Sequence, residues 1–144
     1  MAVSYTNNWS NILNKLISII RVEFTIPVIK GKSSSSASSY IRVAPLGSSM
    51  VELASHSEQR EFNIAVHYVT QRRDEEDTFL EHITVQVSKL EALIHENITM
   101  TLADSTIAFN CHFASQEFDI EQEDEEDNYI IEWSFQCNHI GNTA

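Results

Sequence analysis

The sequence predicts an α+β fold: a mostly antiparallel sheet with two helices packed on one face. Three observations predict it. Two stretches repeat apolar residues at spacings of three and four, several others alternate with a period of two, and no strand–helix–strand alternation calls for parallel crossovers. The expected order is α-β-β-β-α-β-β in one domain spanning residues 1–144, with a long hairpin tip between the first two strands.

The first helix is carried by Trp9, Ile12, Leu13, Leu16, Ile19 and Ile20, with Thr6, Asn7 or Asn8 available as its N-cap. At Arg21 the period changes to two, and Val22, Phe24, Ile26 and Val28 read as one face of a strand. A serine-rich segment interrupts, and the alternation resumes in Ile41 and Val43 before Pro45 ends the strand or places it at an edge. The two strands then read as a hairpin with residues 30–40 as its soluble, flexible tip. Residues 47–60 are ambiguous between a short strand and a helical turn. After them Phe62, Ile64, Val66 and Tyr68 alternate with Asn63, Ala65 and His67, a third strand whose His67 is expected to be solvated.

The second helix is marked by Phe79, Leu80, Ile83, Val87, Leu90, Leu93 and Ile94, with Asp77 or Thr78 as cap and Glu81 three residues past Thr78, as in a capping box. Two closing strands follow. One places Ile107, Phe109, Cys111 and Phe113 on a shared face, the other Tyr129, Ile131, Trp133, Phe135 and Cys137. Between them residues 117–128 are expected to form an acidic loop.

Composition narrows the function. The chain of 144 residues is 42% hydrophobic, enough for a core. Its formal charge is −12, from 21 acidic against 9 basic side chains. Such a surface repels phosphate backbones and anionic membranes instead of binding them. No apolar run is long enough to span a bilayer, and the start of the chain lacks the basic and cleavage regions of a secretory signal. Cys111 and Cys137 are expected to be reduced core residues on neighbouring strands. The sequon Asn97-Ile98-Thr99 is read as chance.

Motifs for chemistry are missing. With three glycines in the chain there is no Gly-x-Ser-x-Gly, Walker loop or dinucleotide turn, and no enzyme is expected. Read as a calcium loop from Asp119, the acidic run puts Asp124 where glycine is needed and Ile130 where a bidentate glutamate is needed. Cysteine and histidine spacings give no zinc site, although Cys137 and His139 share a strand face. No metal and no cofactor are expected.

Two surface features remain as candidate sites. The serine-rich tip, Lys30, Lys32, Ser33, Ser34, Ser35, Ser36, Ser38 and Ser39, is a candidate partner contact because a mobile extension orders on meeting a partner. The acidic group Glu121, Glu123, Asp124, Glu125, Glu126 and Asp127 is a candidate repulsive or lumen-facing surface. In a ring of identical subunits the basic hairpin of one copy could meet the acidic loop of another. Trp9, if exposed, would be an interface anchor, whereas Trp133 and Tyr129 read as core.

The opening "WSNILNKLISII" running into "RVEFTIPVI", followed by "SYIRVAPL", "REFNIAVHYV", "FLEHITVQVSKLEALIHEN" and "NYIIEWSFQCNHIG", resembles the tail-terminator (tail-completion) and neck proteins of long-tailed bacteriophages. The likeness is one of element order and length over nearly the whole chain. It implies a ring, a hexamer in that family, at the head–tail junction that caps the tail tube, stops its polymerisation and joins it to the neck or connector protein. DNA passes through the lumen without specific binding, and an acidic channel lets it slide. The implied location is the tail or neck of the virion, after assembly in the host cytoplasm, with no membrane partner. Two other readings compete: a related neck or stopper protein, and a small acidic DNA-mimic inhibitor of a basic protein. A mimic needs carboxylates spread at phosphate spacing, and here they cluster.

Overall fold

The computed structural model describes residues 5–31, 38–71, 76–123 and 126–142. Two helices, α1 (Asn8–Glu23) and α2 (Glu76–His95), accompany six strands: β1 (Val28–Lys30), β2 (Ser39–Leu53), β3 (Ser57–Gln71), β4 (Met100–Thr101), β5 (Ile107–Glu123) and β6 (Glu126–Asn142). The strands form one sheet in the order β1-β2-β3-β6-β5-β4, antiparallel at every pairing except β1 with β2. The fold is α+β in the expected order, with the two-residue β4 as an addition.

Each helix buries most of the stripe its periodicity marks, although Leu80 of the α2 stripe is exposed. Asn7 caps α1 by accepting from the Ser10 N–H at 3.1 Å, and Ile12, Leu13, Leu16, Ile17 and Ile20 face inward. Phe79, Ile83, Val87, Leu90 and Ile94 do the same for α2. Asn97 closes the end of α2 by donating its side-chain amide to the Leu93 carbonyl at 2.8 Å, a structural role for the sequon residue. Both stripes join one core with Ile41 and Val43 of β2, Phe62, Ile64, Val66 and Tyr68 of β3, and Ile131, Trp133, Phe135 and Cys137 of β6. The register explains this: Phe62, Ile64, Val66 and Tyr68 lie directly opposite Cys137, Phe135, Trp133 and Ile131. Both helices therefore cover the same face of the sheet.

Four expectations are corrected. The strand expected from Arg21 is helix as far as Glu23, and Val22 is 81% exposed. Phe24 fits either period, because it lies four residues beyond Ile20; it serves as an extended C-cap whose N–H bonds the Ile20 carbonyl. Only Val28–Lys30 remains as strand, and it runs parallel to β2, so the serine-rich connection is not a hairpin tip. Residues 47–60 belong to a long β2–β3 hairpin, turned where the Ala54 N–H donates to the Ser57 carbonyl at 2.8 Å.

The third correction lies in β5. Ala108 and Cys111 are in the core while Ile107 is exposed, so strict alternation fails between them. An irregularity between Phe109 and His112 supplies the extra residue, and Asn110 there has φ 54°, a left-handed conformation that asparagine tolerates better than most residues. The fourth concerns the acidic segment. Its backbone continues β5 as far as Glu123 and resumes as β6 from Glu126, pairing Glu121 with Asn128, Gln122 with Asp127 and Glu123 with Glu126. Residues 121–123 and 126–128 thus form a two-stranded stretch, with β3 pairing among the described residues only as far as Gln71 opposite Asn128.

Candidate functional site

The predicted partner-contact residues are only partly in view. Lys30 is exposed at the end of β1, Gly31 follows with φ 90° and donates its N–H to the Val43 carbonyl at 2.8 Å, and Ser39 shares a 2.7 Å hydroxyl contact with Thr70. Lys32, Ser33, Ser34, Ser35 and Ser36 lie outside the described residues, as do Asp124 and Glu125 of the acidic group. Among the described residues, Ser38 and Ser39 lie at the same end of the sheet as the acidic ribbon but are separated from it by β3: the Ser38 carbonyl accepts from the Gln71 N–H, and Gln71 lies opposite Asn128. Lys30 follows β2 positions 41–43, while the acidic ribbon end lies beyond β3 on the opposite side of the sheet order.

The sheet face away from the helices carries a row of charge. Arg42, His67, Glu132 and Glu117 are successive register partners across β2, β3, β6 and β5. Arg42 Nε donates to His67 Nδ1 at 2.9 Å, which leaves the imidazole proton on Nε2, 3.8 Å from Glu132 Oε1. The His67 side chain is only 14% exposed, so it is held and largely buried, not solvated. Ala44 and Ala65 keep this face shallow, and a groove of about 340 Å³ runs over Leu46, Ala65, His67, Glu117 and Glu132. A buried Asn63 Oδ1 on β3 has no hydrogen-bond partner.

On the helix side the aromatic residues are structural. Trp9 is partly buried and packs edge-on against Phe62 with ring centroids 4.8 Å apart, so it is not an exposed anchor. Trp133 is buried, stacks on Phe113 and donates Nε1–H to Glu91 Oε1 at 3.2 Å. The two thiols are free, buried and adjacent, Cys111 in the bulge of β5 and Cys137 on β6. The neighbouring Cys111 sulfur and burial push the Cys137 thiol up, while the bond from Cys137 lowers Cys111. No group of three His, Cys, Asp or Glu side chains is placed to hold a metal among the described residues. Among the described residues no helix is long and apolar enough to cross a membrane.

Sequence reasoning missed the strand edges. β1 covers β2 only at residues 41–43, and β4 covers β5 only at 107 and 108. Among the described residues no strand lies beside β2 from Ala44 to Leu53, or beside β5 beyond Cys111, whose N–H bonds the Ile98 carbonyl at 2.8 Å. The free β2 stretch exposes Leu46, Met50, Val51 and Leu53. The free β5 stretch exposes Phe118 and borders a groove of about 400 Å³ against the end of α2, lined by Glu91, His95, Cys111 and Gln116. Pro45 was the available signal. Ile41 N–H and the Val43 carbonyl point outward to Pro27 and Gly31, so Pro45, next in that series, lacks its N–H on the open side.

The architecture has a solved counterpart. A chain in the virion of a native gene transfer agent particle superposes with TM-score 0.69, covering 95% of this chain and 100% of that one, at 10% sequence identity. The two chains share a fold. No protein-family model matches the sequence, and no curated protein is similar to it. At that identity the likeness concerns backbone architecture and not individual side chains.

Proposed function

We propose that the chain is a structural virion protein of a phage-like particle and works as one tail-terminator-like domain. It forms a ring, a hexamer on the family resemblance, at the head–tail junction. The ring caps the tail tube, stops its polymerisation and offers a surface to the neck, and DNA passes through its lumen. The observation that carries the virion reading is the likeness to a gene transfer agent virion chain over 95% of this chain; the narrower terminator role rests on the sequence resemblance. No catalytic residue is assigned. The role is mechanical, exercised in the virion after assembly in the host cytoplasm.

Supporting features are the acidic balance and the placement of carboxylates. Acidic positions concentrate in residues 117–127, toward the end of β5 and the start of β6, with a lesser group at 74–77, instead of spreading at phosphate spacing, which disfavours a DNA mimic. Facing the lumen, that end would repel the phosphate backbone. Light scattering and negative-stain electron microscopy of the purified protein test the reading. Six-fold rings, alone or on contact with tail tubes, are expected; a strict monomer that competes with DNA for a basic protein would overturn it.

Replacing Glu121, Glu123, Asp124, Glu125, Glu126 and Asp127 by Gln and Asn tests the ribbon. The register sets Glu123 against Glu126, and like charges facing across strands cost a few tenths to about 1 kcal/mol per pair. The neutral variant is expected to melt at the same temperature or higher, with the difference shrinking in high salt. A collapse of the fold would show that the carboxylates hold it together.

A further inference from the structure

We infer that copies of this chain join edge to edge, the free stretch of β2 in one copy pairing antiparallel with the free stretch of β5 in the next. The inference deepens the ring reading and rests on it for closure. Its starting point is the pattern of covered and open corners. β1 blocks β2 at residues 41–43 and β4 blocks β5 at 107 and 108, which lie at diagonally opposite corners of the sheet. The open stretches, 44–53 and 112–123, occupy the other two corners. An unpaired edge of that length with exposed apolar side chains is a template for another strand.

Direction fits. Successive antiparallel pairings β2–β3, β3–β6 and β6–β5 make β2 and β5 run in opposite senses. A second copy related by rotation about an axis that runs broadly along the strands keeps these senses, so its β5 arrives antiparallel to β2. That contact uses a different surface on each copy, which generates a ring or an open filament and not a two-fold dimer.

Stagger fits as well. Ser48 is level with Cys137 through Phe62, whereas Phe118 is level with Ile131. The centres of the two open stretches are thus offset by about six residues, roughly 20 Å along the strands. Each copy contributes four strands, β2, β3, β6 and β5, so the repeat from one junction to the next, at ~4.8 Å per strand, spans about 19 Å. Offset and width being nearly equal, the strands incline by about 45° to the axis, close to the 35–45° typical of closed sheets. β1 and β4 act as end stops that permit pairing only with this offset.

The chemistry of the two edges is complementary in kind. Met50 and Leu53 on β2, on the helix side of the sheet like Phe118, would cover Phe118, which is 48% exposed in the single copy. Along the free β5 edge, Gln116 Nε2 is buried with no hydrogen-bond partner and lines the groove beside α2. An incoming strand can supply a carbonyl there, and a buried donor left unpaired is otherwise costly.

Cysteine cross-linking tests the pairing. Ser49 and Glu117 are exposed and lie on the face away from the helices, and full overlap of the two stretches brings their positions together. Ser115, on the same face, covers a register two residues away. Chains carrying Ser49→Cys are mixed with chains carrying Glu117→Cys or Ser115→Cys and treated with a short bismaleimide, with circular dichroism to check folding and the unsubstituted chain as background. The expected result is a cross-linked pair in the mixture, none in any single variant alone, and a ladder up to the ring's copy number when Ser49→Cys and Glu117→Cys share a chain. Cross-linking of Ser49→Cys alone would overturn the inference in favour of a two-fold β2–β2 contact. Rings seen by light scattering without cross-links would overturn the edge pairing and leave the ring; monomers without cross-links would overturn both.

Discussion

Phe135→Ala is expected to destabilise the protein by about 3–5 kcal/mol, a large part of the ~5–15 kcal/mol that holds a domain of this size. Phe135 is fully buried at the middle of β6, opposite Ile64 on one side and Phe113 on the other, with the Phe113 ring centroid 6.1 Å away. Truncation removes transfer free energy and leaves a cavity between the sheet and its helices, which neighbours on three strands cannot close. Urea denaturation should show the loss as a lower midpoint at nearly constant slope. Phe118→Ala is the matched control. Its side chain is half exposed, so the isolated subunit should change by no more than ~0.5 kcal/mol while assembly weakens. Equal losses at both positions would refute the β5–β6 pairing described here.

The second large effect concerns a hydrogen-bond chain that runs from the exposed Asp104 to the buried His139. Asp104 accepts from both the Thr106 N–H at 3.1 Å and the Thr106 hydroxyl at 2.6 Å, which orders the turn between β4 and β5. With its one proton committed to Asp104, the Thr106 oxygen accepts from His139 Nε2 at 2.8 Å. His139 is almost fully buried on β6, and Thr106→Val strands its N–H without a partner, at a cost of about 1–3 kcal/mol.

The same histidine makes stability sensitive to acid. Burial lowers its pKa below the usual imidazole value, against a smaller upward pull from the Asp104 charge. The unfolded chain therefore binds a proton that the native chain resists. The stabilisation is fully present above the ordinary histidine pKa of about 6.5 and is lost as pH falls through the native value. Asp104 adds to the trend at lower pH, because its hydrogen bonds from Thr106 hold it below the ordinary carboxylate range. Thermal melts between pH 8 and pH 5 should fall more steeply for the native sequence than for His139→Gln; parallel curves would show that His139 does not govern the slope.

Legibility of the sequence followed the physics of period. Where one period ruled a segment, as in Ile12 to Ile20, Phe62 to Tyr68 and Tyr129 to Cys137, the element and its buried face were readable from spacing. Phe24 satisfies both the helical and the strand period, and tertiary packing decided in favour of the helix. Asn110 breaks the alternation of β5, and only the full register shows that Ala108, not Phe109, faces the core. The acidic segment looked like a loop because its composition disfavours strand, yet pairing carried in from both sides extends the ladder through it to Glu123. Candidate surfaces fared less well. Charge and serine content are visible in a sequence, whereas an open strand edge exists only once the neighbours of each strand are known. Pro45 was a local trace of that edge, and it became informative when the outward direction of Ile41 and Val43 was established.

The irregularities in β2 and β5 have a further consequence. β2 carries shifts at Leu46 and Val51, and β5 at Asn110 and Ala114, on the two strands that would meet between copies. Each extra residue bends and twists its strand, so together they set the angle through which one subunit turns the path of the sheet. In an assembly built by edge pairing, stoichiometry is then a property of curvature, encoded in a few local kinks. Affinity between copies would decide whether the circle forms, and those kinks would decide how many copies complete it.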